Sequence, residues 1–148
     1  AYQLGLRSKD NNIDSKYKTK EWSDNIEQSC LSIELVCEGK VVKDSKGFYF
    51  EGGSRYIDGS KTVRLSKPFK DSFDYVKYTD EQIESLKDLI NYLCDKHNIK
   101  KKWIGHFSIS TEGLEMKSAV YSHVNFRTSG KNDLFPQPEL VEILNNLK

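Results

Sequence analysis

The chain has 148 residues, 36% hydrophobic and 30% charged, a composition that suits one soluble domain with a real core and excludes a chain disordered throughout. Its 23 basic and 22 acidic side chains leave a net charge of +1, so no broad field draws it to nucleic acid or to an anionic membrane. No apolar run approaches the roughly 18 residues of a membrane span, no signal-peptide pattern opens the sequence, and Lys100, Lys101 and Lys102 read as a solvated loop.

In chain order, Tyr2-Gln3-Leu4-Gly5-Leu6 alternates as a short strand, and Arg7 to Lys20, rich in Asp, Asn, Ser and Lys, reads as an exposed connection. Trp22 followed by Ser23, Asp24 and Asn25 marks the approach to the next element. Cys30 to Val36 has the β-branched, apolar content of a strand buried on at least one face. Glu34 is the exception in that run: either period-two alternation turns it to solvent, or it is held inward for a task. Cys30, Cys37 and Cys94 form an odd set without a C-x-x-C pair. Across an extended strand Cys30 and Cys37 would stand about 20 Å apart, too far for a disulfide, so core packing or surface thiols are expected and the compartment stays open.

From Gly39 to Lys77 short aromatic or β-branched runs alternate with turn residues, which predicts a hairpin or inserted lobe with Asp58-Gly59 as a tight turn. Its aromatics Phe48, Tyr49, Phe50 and Tyr56 are read as a small core, with stacking on sugar rings as the alternative. Thr79-Asp80-Glu81-Gln82 is a capping box, and Ile83, Leu86, Ile90, Leu93 and Cys94 follow at helical spacing, so a helix is predicted from Thr79 to about Lys96. His97 is read as a solvent-facing residue at its end and not as a ligand. Lys102 to Phe107 looks like a strand and carries His106; Phe107 to Tyr121 reads as an insertion. Leu140, Val141, Ile143, Leu144 and Leu147 predict a last helix that opens near Pro138.

The chemically loaded stretch is Ser122 to Leu134, in which an imidazole, an ammonium and a carboxylate fall within eleven residues as His123, Lys131 and Asp133. Imidazole and carboxylate are ligands for a borderline-soft divalent ion, and a nearby lysine can stabilise negative charge developing on a substrate oxygen. A metal hydrolase site is the chemistry this pattern suggests.

The run from His123 through Gly130-Lys131-Asn132-Asp133-Leu134-Phe135-Pro136 resembles the C-terminal signature of the zinc-dependent N-acetylmuramoyl-L-alanine amidases, which include phage lysozyme-type amidases and are related to the peptidoglycan recognition proteins. Ser32-Ile33-Glu34-Leu35-Val36 resembles that family's central strand, Tyr78 to Gln82 the opening of its long helix, and Ala1-Tyr2-Gln3-Leu4 the edge of an earlier strand. The resemblance implies an α/β fold, a central mixed β-sheet flanked by helices, here with an inserted hairpin region. It implies one amidase-like domain over residues 1–148. The family's first zinc histidine would precede Ala1, so the expectation is that the domain lacks its N-terminal strand and helix, that His106 substitutes, or that zinc is not held.

By the same resemblance the metal ligands are His123 and Asp133, with His106 as a possible third ligand or a core histidine. His106 matches the family's Gly-His pair by position, but the places eight and ten residues on hold Leu114 and Met116, whereas His123 meets that spacing with Lys131 and Asp133. Zinc lowers the pKa of its water toward ~7, Glu34 or Tyr2 would orient that water, and Lys131 would stabilise the oxyanion. The implied reaction is hydrolysis of the amide joining N-acetylmuramic acid to L-alanine in peptidoglycan, in a secreted or cell-envelope setting. The alternative is a peptidoglycan-binding module of the same fold without catalysis.

Overall fold

The computed structural model describes residues 13–50, 55–127 and 134–148, with the backbone alone at 48–50. The chain mixes helix and strand. Thr19 opens α1 (Lys20–Ser29) by accepting a hydrogen bond from the Trp22 amide at 3.1 Å, which satisfies one of the donors orphaned at a helix start. Five strands follow: β1 (Val41–Asp44), β2 (Gly47–Phe50), β3 (Tyr56–Ile57), β4 (Thr62–Phe69) and β5 (Ser72–Val76). Strands β1, β2 and β3 pair antiparallel in that order, and β4 and β5 form an antiparallel hairpin turned at Lys70 and Asp71. A single bridge between Lys40 and Tyr75, supported by Val76 N donating to Gly39 O at 2.8 Å, joins the two sheets.

The predicted capping box stands. Thr79 Oγ1 accepts from Gln82 N at 3.2 Å and Gln82 Oε1 accepts from Thr79 N at 3.0 Å, opening α2 (Asp80–His97). Ile83, Leu86, Ile90 and Cys94 are its buried stripe, and Asn98 closes it in the left-handed conformation. The short α3 (Thr111–Leu114) and the terminal α4 (Pro138–Asn145) complete the helices, the latter with proline in its first turn as expected.

One core holds these parts together. Phe135 lies flat between Tyr75, at 4.4 Å between ring centroids, and Tyr78, at 4.7 Å. Around that stack pack the α2 stripe, Trp103, and Leu140 and Leu144 of α4. Gln137, just ahead of α4, is buried and takes both backbone groups of Tyr78: its Oε1 accepts from Tyr78 N at 2.8 Å and its Nε2 donates to Tyr78 O at 3.2 Å. A smaller cluster docks α1 onto the loop before residue 127, with Ile26 against Phe126 and Trp22, Cys30 and Tyr121 around them. Gly113 permits that contact, because a Cβ there would lie 3.0 Å from the Phe126 ring and 3.1 Å from Tyr121.

Several expectations are corrected. Residues 30–39 form no strand and enter no ladder before the Lys40 bridge. Leu35 and Cys37 pack on the core, but residues 31–34 are all exposed, so period-two burial is confined to the last part of the segment. Lys102–Phe107 is likewise irregular and contributes one parallel bridge, Trp103 to Val120. The connection read over Arg7 to Lys20 contains a 3-10 turn, Ser15–Tyr17, capped by Asp14, and the buried Ile13. Asp58-Gly59 turns the chain as a 3-10 turn between β3 and β4, which do not pair with each other, and Tyr56 is exposed. The Tyr2–Leu6 strand lies outside the described residues.

Candidate functional site

A cleft of about 930 Å³ runs between the segment 30–40, the buried face of α2 and the loop 116–123. Its volume is that of a small-ligand site. Two of the sequence-predicted site residues share it. Glu34, which is exposed along with residues 31–33, lines it from the segment 30–40, and His123 lines it as well. Leu134 and Phe135, the residues that follow Asp133 in the chain, continue the same wall. Tyr2, Lys131 and Asp133 lie outside the described residues.

Irregular backbone makes this wall, and side chains hold it. Gln82, having capped α2, donates from Nε2 to Val36 O at 2.9 Å, so the helix start and the cleft segment share one amide. Cys37 Sγ contacts Val76 O at 3.1 Å. Leu31 to Leu35 make no backbone hydrogen bond among the described residues. Leu134 has a φ of 54°, an uncommon state for a leucine.

His123 opens the 3-10 turn His123–Asn125, whose backbone closes through Asn125 N to Ser122 O at 3.0 Å and Phe126 N to His123 O at 3.1 Å. His106 does not line the cleft. It is exposed, with Nδ1 2.9 Å from Ser108 Oγ, which leaves Nε2 as the ring atom for an external partner. The fully buried Asn125 joins these two histidine-bearing loops, a role no sequence signal announced. Its Nδ2 donates to His106 O at 3.0 Å and Ser108 O at 2.7 Å, and its Oδ1 accepts from Ser122 N at 2.7 Å and Ser122 Oγ at 2.8 Å.

Cys30, Cys37 and Cys94 are free thiols that all line the cleft, and burial pushes each thiol pKa up. Burial of this kind disfavours the thiolate, the form in which a cysteine acts as a nucleophile. Burial, with the Glu112 carboxylate second, also raises the pKa of Tyr121 beside them. Imidazole and carboxylate are the right donor chemistry for zinc, but no three His, Cys, Asp or Glu side chains converge among the described residues. Among them no helix is long and apolar enough to cross a membrane. Comparison with family models, with curated proteins and with solved structures gives no match.

Proposed function

We propose that this chain is a peptidoglycan amidase of the amidase-like α/β fold, cutting the amide between N-acetylmuramic acid and L-alanine in the cleft between residues 30–40 and His123. The observation that carries the reading is that Glu34 and His123, far apart in the sequence, line one cleft that Leu134 and Phe135, the residues directly after Asp133, also line. Of the two acidic residues that line the cleft, Glu34 and Glu38, Glu34 is the one read here as taking a proton from an attacking water, and His123 lines the same space. The backbone of Leu31 to Leu35, without a ladder partner among the described residues, gives an extended peptide groups to pair with, in keeping with a ligand that carries a peptide stem. In this reading zinc would be held by His123 and Asp133 with His106 as third candidate, and would supply a water acidic enough to attack at neutral pH.

The second reading, a peptidoglycan-binding module without catalysis, is favoured by the lack of a three-donor cluster among the described residues. Incubating the purified chain with muropeptides separates the two. The enzyme is supported by the appearance of free L-alanine amino groups without new reducing ends, and by metal analysis of the purified chain that finds one zinc per molecule, lost in Asp133→Ala. Binding without amine release selects the module, and no binding at millimolar muropeptide ends both.

A further inference from the structure

We infer that Asn125 is a positioning residue that sets the two histidine-bearing loops against each other. The inference rests on the reading of His106 and His123 as site residues. Asn125 is wholly buried, and all the hydrogen-bonding directions of its side chain that bear on the two loops are used at once. The amide nitrogen spans both ends of the His106-Gly-side loop by holding the carbonyls of His106 and Ser108, whose side chains contact each other through Oγ and Nδ1. The amide oxygen holds Ser122, the residue before His123. The backbone adds a third tie, Ser110 N donating to Asn125 O at 2.9 Å.

Neither loop has a ladder to hold it. The 106–110 stretch contains no regular element, and the His123 turn is three residues long. A polar side chain buried among backbone groups in this way is costly to leave unsatisfied, so the loops are confined to the one relative placement that serves every bond. Aspartate is the discriminating substitution. It keeps the oxygen that accepts from Ser122 and replaces the donor toward His106 and Ser108 with an acceptor that faces two carbonyls. Ser108→Ala removes only the hydroxyl contact with the His106 ring.

The chain has three histidines, so the ring signals of a histidine-labelled sample can be followed one by one by NMR. His97, at the end of α2, is the internal control. In Asn125→Asp both the His106 and His123 ring signals are expected to move while His97 stays; in Ser108→Ala only His106 moves. A shift of His123 alone, or of neither, overturns the clamp. Should Asn125→Asp not fold, exchange of the Asn125 side-chain amide protons in the wild-type chain decides: exchange slowed at least a hundredfold against a free amide supports the clamp, and rapid exchange overturns it. Adding zinc or muropeptide to the wild-type chain tests the site reading separately, since failure to move any histidine signal counts against the site and leaves the clamp result intact.

Discussion

The α2 side of the cleft and the wall facing it are stabilised by different means. Helix α2 satisfies its own backbone, carries its cap in four consecutive residues and buries one stripe of side chains. Residues 30–40 and 116–123 have almost no ladder and are held by single side-chain amides: Gln82 Nε2 donates to Val36 O, and Asn125 Oδ1 accepts from Ser122 N and Oγ. Periodic structure needs only local sequence to specify it, whereas an irregular wall needs partners far along the chain. The second kind of wall leaves backbone groups and side chains turned toward a ligand, which is where a binding site gains and where stability loses.

The strongest way to break the comparison is at the piece both sides share. Phe135 is 1% exposed, stacked between Tyr75 and Tyr78, and also lines the cleft. Phe135→Ala is expected to cost about 3–5 kcal/mol by removing a fully buried ring, read as a shifted midpoint in urea unfolding followed by circular dichroism. A midpoint unchanged within error would mean the wall folds independently of the α2 core. Gln137→Ala comes next. It leaves the Tyr78 amide and carbonyl without their partners beneath the core, and about 2–3 kcal/mol is expected to be lost. Thr79→Ala should cost only about 1 kcal/mol, the usual worth of a helix cap. The Gln82 amide contact with Val36 O would survive that change, so the effect should stay on the helix side; a larger loss would show that the cap also supports the wall.

The same division explains what could be read from the residues alone. The α2 cap and stripe, the proline-led α4 and a hairpin within Gly39–Lys77 were legible because each signal lies within a few residues of the element it specifies. Helix α1 was missed: it is polar overall, and its docking face is little more than Trp22 and Ile26. Cys30–Val36 and Lys102–Phe107 have strand composition, but a strand also requires a neighbour, and none pairs with them beyond single bridges among the described residues. Glu34 and His123 could be nominated from their chemistry. Their meeting in one cleft could not, because it depends on how the long stretch of chain between them folds. Asn125 and Gln137 gave no sign, since a buried amide that clamps distant backbone looks like any surface amide in sequence.

The smallest expected effect on stability is the most informative for function. Glu34 is exposed and makes no hydrogen bond or ion pair with another described residue, so Glu34→Gln should leave unfolding within about 0.5 kcal/mol of wild type. If Glu34 takes the proton of the attacking water, the same variant should lose amine release from muropeptides by at least about a hundredfold, the lower range for a general base. Muropeptide binding should persist, because the amide side chain fills the same volume and still accepts hydrogen bonds. Equal loss of binding and turnover would instead assign Glu34 to holding the ligand. A variant that binds and turns over normally would remove Glu34 from the site and leave it to the histidines. The value of the substitution lies in its silence elsewhere: on the irregular wall a side chain can be altered without disturbing the core, so a change in chemistry there is not a change in folding.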